Sequence, residues 1–307
     1  MNIFIEKLMK PHSPAVYQMD AEADSIDGFQ AVDQAALDRY EAEGFLLIRG
    51  GLPADVVAAA VTELEAMRGD DDPGCEAVYF EGMMRERLGM EALHLDLPDT
   101  PSFEQLAMSD RIDAIADLPR DVRRELVRKF MGFVEKHPPL LAAAEYPPLL
   151  EVIERIGGVP MRRFQDMAMI KPPGGREKPW HQDHAYFNLP LDTRVVAVWT
   201  ALSDVTVANG CMHVIPGGHR DGPRPHFMRR DWQLCDDHVA GDRRLALPME
   251  PGDLMLFDGK LPHGTPTNQT DQQRWALQVH YMPRTATEVG EALRLQAFGS
   301  EGKGVTC

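Results

Sequence analysis

The sequence predicts a mainly β protein of the α+β class, its core a sandwich or jelly roll with helices packed around it. Three observations predict this. From Gly157 to about Pro283, short segments rich in Val, Trp, Met and Thr alternate with Gly, Pro and Asp turns. Ahead of them, apolar residues recur at helical spacing. The last apolar segment, Arg274 to Met282, alternates with period two: Trp275, Leu277, Val279 and Tyr281 fall on one side, Arg274, Gln278 and His280 on the other.

Ala31 to Glu43 reads as a short helix, stopped by Gly44 before the buried-strand run Phe45, Leu46, Leu47, Ile48. Gly50, Gly51 and Pro53 mark a turn, Ala54 to Met67 returns to helical spacing, and residues 69–74 form an acidic loop. Asp117 to Val152 is again helical in pattern, with Leu126, Val127, Phe130 and Phe133 on one face and prolines dividing it into several helices. Strands are then expected at Phe164–Lys171, Arg194–Ser203, Cys211–Ile215, Leu245–Met249, Leu254–Phe257 and Arg274–Met282. The expected organisation is a single domain over 1–307: a helical opening and support region at 28–157, the β core at 158–283 and a tail at 284–307.

Composition excludes more than it assigns. The hydrophobic fraction of 44% and charged fraction of 26% are those of an ordinary globular chain. Asp and Glu outnumber Lys and Arg by 48 to 32, a net charge of -16 that argues against a phosphate-tracking surface and so against nucleic acid. Cys75, Cys211, Cys235 and Cys307 are scattered without CxxC spacing, which predicts neither a thiolate zinc site nor a disulfide framework, and fits a reducing compartment. Met1 to Met9 is broken by Glu6 and Lys7 and lacks a leader's long apolar stretch, and no run of about 18 apolar residues follows. A cytoplasmic protein without a membrane partner is expected.

Chemistry concentrates in Trp180-His181-Gln182-Asp183, where an imidazole and a carboxylate at i and i+2 of an extended segment reach the same side. Leu261-Pro262-His263-Gly264, after the Pro251-Gly252-Asp253 turn and its strand, offers a third ligand. Two histidines and one carboxylate on one face of an octahedron leave three positions open, which suits oxygen-activating iron(II). A bidentate 2-oxo acid fills two of them and O2 the third. A dicarboxylate cosubstrate needs a counter-charge at its far end. Arg274, on the polar face of the last strand, can grip a carboxylate with two hydrogen bonds. Thr265, two residues after His263, adds a hydroxyl.

These residues resemble the phytanoyl-CoA dioxygenase family. The likeness runs through WHQDHAYF, the strand around Trp199, NGCMHVIPGGH, the PGD turn and LPHGT to Arg274, and more weakly through YEAEGFLLIRGGL. The resemblance implies a cupin-like double-stranded β-helix. It implies His181, Asp183 and His263 as iron ligands, Arg274 as the 2-oxoglutarate-binding arginine, and Trp199 and Thr265 near the cosubstrate. The implied activity is that of an iron(II)- and 2-oxoglutarate-dependent dioxygenase, a hydroxylase acting on a C–H bond of a small molecule with succinate and CO2 as coproducts. With Asp183 present, halogenation is disfavoured.

The substrate is less legible. Residues 217–230 gather Arg220, Arg224, His226, Arg229 and Arg230, which fits an anionic or acyl-CoA-like substrate or equally a solvent-facing loop. Arg224 and His226 are therefore candidate substrate residues. His280 joins them, because it faces inward if Arg274 does, and Gln165 is placed to touch the cosubstrate. Further contacts are expected from Val78 to His94 and the helical middle. Two other readings use the same residues: a zinc hydrolase with an open three-ligand site, and a cupin-like binding module without activity.

Overall fold

The long polar-apolar alternation of Arg274–Pro283 is the axis on which the molecule is built. The structure is a computed structural model that describes residues 1–6, 11–88, 109–112 and 118–307. Arg274–Pro283 lies between Val196–Ala201 and Met161–Lys171, antiparallel to both. It is central to a ten-stranded sheet that continues on one side through Leu254–Asp258, Phe45–Arg49 and Ile26–Asp27, and on the other through Val127–Met131, Ala77–Phe80, Asn2–Glu6 and Ser109–Ile112. A second sheet runs Ala21–Glu22, Leu245–Leu247, Met212–Val214, His263–Thr265, Lys178–His181.

The two sheets pack on each other through Trp199, Phe257, Met255 and Ala276 of the large one and Met212, Val214, Ala246 and Leu247 of the small one. On its outer face the large sheet buries Leu46, Ile48, Leu256, Leu277 and Val279 against the helices Ala54–Gly69, Pro138–Ala144 and Pro147–Gly157. Strands covered on both faces must be apolar throughout, which explains the continuous run at Phe45–Ile48. This is the expected double-stranded β-helix with helices outside.

Local chemistry places these elements. Asp33 caps the helix Gln34–Glu43, its carboxylate accepting from Ala36 N at 2.9 Å, and Gly44 ends it at φ +85°. In the predicted PGD turn, Asp253 accepts from Gly50 N and Glu250 N and pairs with Arg49 at 2.7 Å, tying two neighbouring strands together at that end.

Two expectations are corrected. Val127–Met131 is a strand, not part of a helix; the helix Arg120–Leu126 ends just before it. The apolar face read at Val127 and Phe130 is buried instead by pairing with Ala77–Phe80 and Met161–Lys171, a long-range ladder that outweighs local helical spacing. Against the expectation of no disulfide framework, Cys235 and Cys307 form a disulfide across 72 residues, while Cys75 and Cys211 are free and buried. The chain after Glu291–Phe298 returns to the start of the short helix Asp236–Ala240, a proximity that spacing does not reveal. Among the described residues no helix is long and apolar enough to cross a membrane.

Candidate active site

His181 ends the strand Lys178–His181, and His263 opens the neighbouring strand directly opposite it in the ladder, so pairing alone brings the two imidazoles to a centroid distance of 4.2 Å. Gln182 stays extended at φ -114°, ψ 127°, and Asp183 begins a short 3-10 turn that aims its carboxylate back at both rings. Oδ1 of Asp183 stands 3.2 Å from His181 Nε2 and 3.6 Å from His263 Nε2. Each ring uses its Nδ1 on a backbone carbonyl, His181 on Pro179 O at 2.8 Å and His263 on Leu261 O at 2.9 Å. That choice fixes the tautomer and leaves both Nε2 atoms as donors to an ion. One ligand atom from each residue fits within 4.8 Å of the others, and all three residues are buried. Two nitrogens and one oxygen on one side, with the rest open, form a donor set that fits iron(II).

The other carboxylate oxygen is spoken for. Gln278 Nε2 donates to Asp183 Oδ2 at 3.0 Å, and His280 Nε2 lies 2.9 Å from it. Burial would raise the Asp183 carboxyl, yet the imidazoles of His263 and His280 and the bonds from His181 and His280 hold it well below the usual carboxylate range. Burial, aided by the nearby His181, takes His263 down to about 3. A carboxylate beside an uncharged imidazole is the protonation pattern a metal needs.

A cavity of about 160 Å³ adjoins this cluster, large enough for a multi-atom ligand rather than a single water. His181 and Asp183 line it, and so do Thr265, Arg274 and Gln278. The predicted division of the last strand holds: Trp275, Leu277, Val279 and Tyr281 enter the core, while Arg274 and Gln278 face the cavity and His280 reaches Asp183.

Arg274 is buried with its guanidinium over Trp199, 5.1 Å from the ring centroid; Nη1 donates to Gly210 O at 3.1 Å. Its Nε and the indole Nε1 of Trp199 are buried with no hydrogen-bond partner among the described residues. Buried donors left idle are costly; Arg274 lines the cavity, where an anionic ligand would satisfy its guanidinium, whereas Trp199 stands behind it, outside the cavity lining. On this observation the residues fit the far carboxylate of a 2-oxo diacid.

Other predicted residues fall elsewhere. Arg224 pairs with Asp221 and Asp242, each at 2.7 Å, beside a separate surface groove. His226 is buried behind the ligand motif, where its Nε2 accepts from Gln182 N at 3.1 Å; burial pushes it down to about 3. Arg230 pairs with Glu177 and Asp236. Arg224 and Arg230 are thus neutralised locally, and residues 217–230 do not line the cavity. Gln165 does line it, with Phe187, while Trp180 packs against Tyr17 and donates to Val16 O. Of the stretch from Val78 to His94, Val78 and Met84 are core, and residues 89–94 lie outside the described residues.

The sequence reading missed the cations of the cavity wall: Arg128, Lys129, Lys171, Arg176 and Lys178. A period-two reading of Gln165, Met167, Met169 and Lys171, all of which line the cavity, would have found Lys171. Arg128 and Lys129 were hidden by the helical assignment of their strand.

Known proteins resemble this chain in fold or in sequence. The crystal structure of EctD from S. alaskensis with 2-oxoglutarate and 5-hydroxyectoine aligns over 97% of this chain and 87% of that one, with a TM-score of 0.61 at 18% identity, and has the same fold. The probable phytanoyl-CoA dioxygenase of Caenorhabditis elegans is 30% identical over 169 residues, 50% of this chain and 54% of that protein. The peroxisomal phytanoyl-CoA dioxygenase of Homo sapiens is 26% identical over 254 residues, 79% of this chain and 66% of that one. The chain spans between about half and two thirds of the length of these two relatives. Residues 40–276 match the profile of the phytanoyl-CoA dioxygenase family. That stretch takes in the three-ligand cluster, Trp199 and Arg274, and the chain belongs to this family.

Proposed function

We propose that the chain is a non-haem iron(II)- and 2-oxoglutarate-dependent dioxygenase, a hydroxylase acting on a C–H bond of a small molecule. The observation that supports this most is the pairing, in one cavity, of a two-histidine, one-carboxylate cluster with a buried arginine whose Nε has no partner among the described residues. His181, Asp183 and His263 would hold the iron. Arg274, flanked by Thr265 and Trp199, would hold the far carboxylate of 2-oxoglutarate. When bound, iron and 2-oxoglutarate supply the oxidising chemistry, one atom of O2 going to the substrate and the other to succinate as CO2 leaves.

The protein's part is orientation and exclusion. Gln278 and His280 fix the Asp183 carboxylate so that Oδ1 faces the two imidazoles. Met131, Met167, Met169 and Phe187 give the cavity an apolar wall that displaces water from the reacting end.

For the substrate we propose a small molecule bearing an anionic group, an acyl-CoA thioester being the form that the relatives' names suggest. The support is Lys129 in the cavity wall rather than the loop at 217–230. In that wall Arg128, Arg176 and Lys178 pair with Glu6, Glu81 or Asp231. Lys129 lies over the Tyr79 ring at 4.1 Å, with no carboxylate partner among the described residues. A cytoplasmic setting is also a proposal, and Cys235–Cys307 tests it: a reducing compartment would hold the pair as thiols, which thiol trapping in freshly lysed cells would show.

The deciding experiment is anaerobic titration with iron(II) and 2-oxoglutarate, in wild type and Asp183→Ala. A visible charge-transfer band in the wild type that disappears in the variant is the expected result. Bound metal without a band would overturn the proposal in favour of zinc hydrolysis or a silent binding module.

A further inference from the structure

Lys171 ends the strand Met161–Lys171 and is the register partner of Arg274. Two basic side chains thus stand side by side at the same end of the cavity, both almost wholly buried, and burial together with the Arg274 charge holds Lys171 well below its ordinary range. Lys171 has no carboxylate partner among the described residues. Its Nζ donates to Thr265 Oγ1 at 2.8 Å, to Thr265 O at 3.3 Å and to Pro266 O. Three acceptors match the three hydrogens of an ammonium group.

With Lys171 charged, this geometry gives the Thr265 hydroxyl its direction. Because Oγ1 accepts from the ammonium, its own hydrogen is turned away from Lys171, and Thr265 lines the cavity. Gly210 makes room for the arrangement. Its φ is +86°, and a Cβ there would stand 2.4 Å from Pro266 O and 3.2 Å from Lys171 Nζ, while its own carbonyl receives Arg274 Nη1. One backbone segment thus packs against both cations, and burying two like charges together without an anion is unfavourable.

We infer that Lys171 is a positioning residue for the dicarboxylate cosubstrate: it orients the Thr265 hydroxyl as a donor and, with Arg274, makes this end of the cavity selective for a second carboxylate. The inference rests on the 2-oxoglutarate reading and adds a residue and a selectivity to it.

The test uses the full chain loaded with iron(II) under anaerobic conditions, titrated with 2-oxoglutarate and with 2-oxobutyrate, which keeps the chelating end and lacks the far carboxylate. In wild type 2-oxoglutarate binds far more tightly. In Lys171→Met its affinity falls roughly tenfold to a hundredfold, the scale of one lost charge-assisted interaction, while 2-oxobutyrate affinity and iron affinity stay within twofold. Lys171→Arg recovers part of the preference. Thr265→Val lowers it too, and the double variant loses less than the product of the two single losses, because the residues act as one unit. If Lys171→Met binds iron normally and keeps the wild-type preference for 2-oxoglutarate, the inference is wrong. It is equally wrong if the two single losses multiply. Should Lys171→Met fail to fold, Lys171→Arg and Thr265→Val carry the same comparison. A wild type without any charge-transfer band would instead sink the cofactor reading itself.

Discussion

Replacing His280 by leucine removes one of the two side chains that hold Oδ2 of Asp183, and leaves Gln278 Nε2 at 3.0 Å. Leucine preserves much of the packing, since the imidazole sits edge-on to Phe187 at 5.0 Å and tilted to Phe164 at 6.0 Å. What disappears is one hydrogen bond to a buried carboxylate, worth about 1.5–3 kcal/mol when one partner is charged. Without it Asp183 is freer to turn Oδ1 away from the two imidazoles, and metal affinity should fall by roughly ten- to a hundredfold, the usual cost of losing a group that orients a ligand. Manganese(II) binding measured by electron paramagnetic resonance on the 2-oxoglutarate-free protein reads this directly. Gln278→Leu should give a similar loss, and the double variant more than either. A folded His280→Leu protein that binds manganese within twofold of wild type would show that the clamp does not orient the ligand.

Arg274→Met should lower 2-oxoglutarate affinity more than a hundredfold with metal affinity unchanged, and Arg274→Lys should recover only part because it lacks the planar fork; isothermal titration separates the two effects. Burial takes Lys129 down to about 8 from an ordinary 10.5. Its charged form is therefore disfavoured in the folded state, and stability is lower below about pH 8 and rises as pH climbs from there towards 10.5. Lys129→Met should accordingly raise the urea midpoint at pH 7, with the gain shrinking above pH 8; a variant less stable across the whole range would refute this. Reducing Cys235–Cys307 reopens a loop of 72 residues and should destabilise the protein by up to ~4 kcal/mol, which urea unfolding with and without dithiothreitol would measure.

What the sequence discloses follows from how local each feature is. Alternation along Arg274–Pro283 is a property of one segment, so the strand, its inward face and the position of Arg274 could all be read from it. His181 and Asp183 are two residues apart, and their convergence needs only an extended Gln182. His263 could be named because its strand follows a clear PGD turn, yet its direct register with His181 is a product of the sheet. Lys129 was not legible for the opposite reason: Val127 and Phe130 are three apart, which reads as one face of a helix, whereas strand positions alternate sides, and the two share the core only because the ladder slips by one residue between Val127 and Lys129. The basic loop misled in the same way. Arg224 and Arg230 are conspicuous in a chain of net negative charge, but Asp221, Asp236 and Asp242 neutralise them after folding.

Among the described residues, the strand Lys178–His181 is the last in its sheet and is laddered on one side, to His263–Thr265. An ion gripped by His181 and His263 would therefore rivet this strand to His263–Thr265. Metal affinity and the cost of peeling that strand away become a single free energy measured from two ends. A chelator would then act on this protein first as a mechanical agent: it should speed amide exchange along 178–181 and 263–265 well before it loosens the ten-stranded sheet.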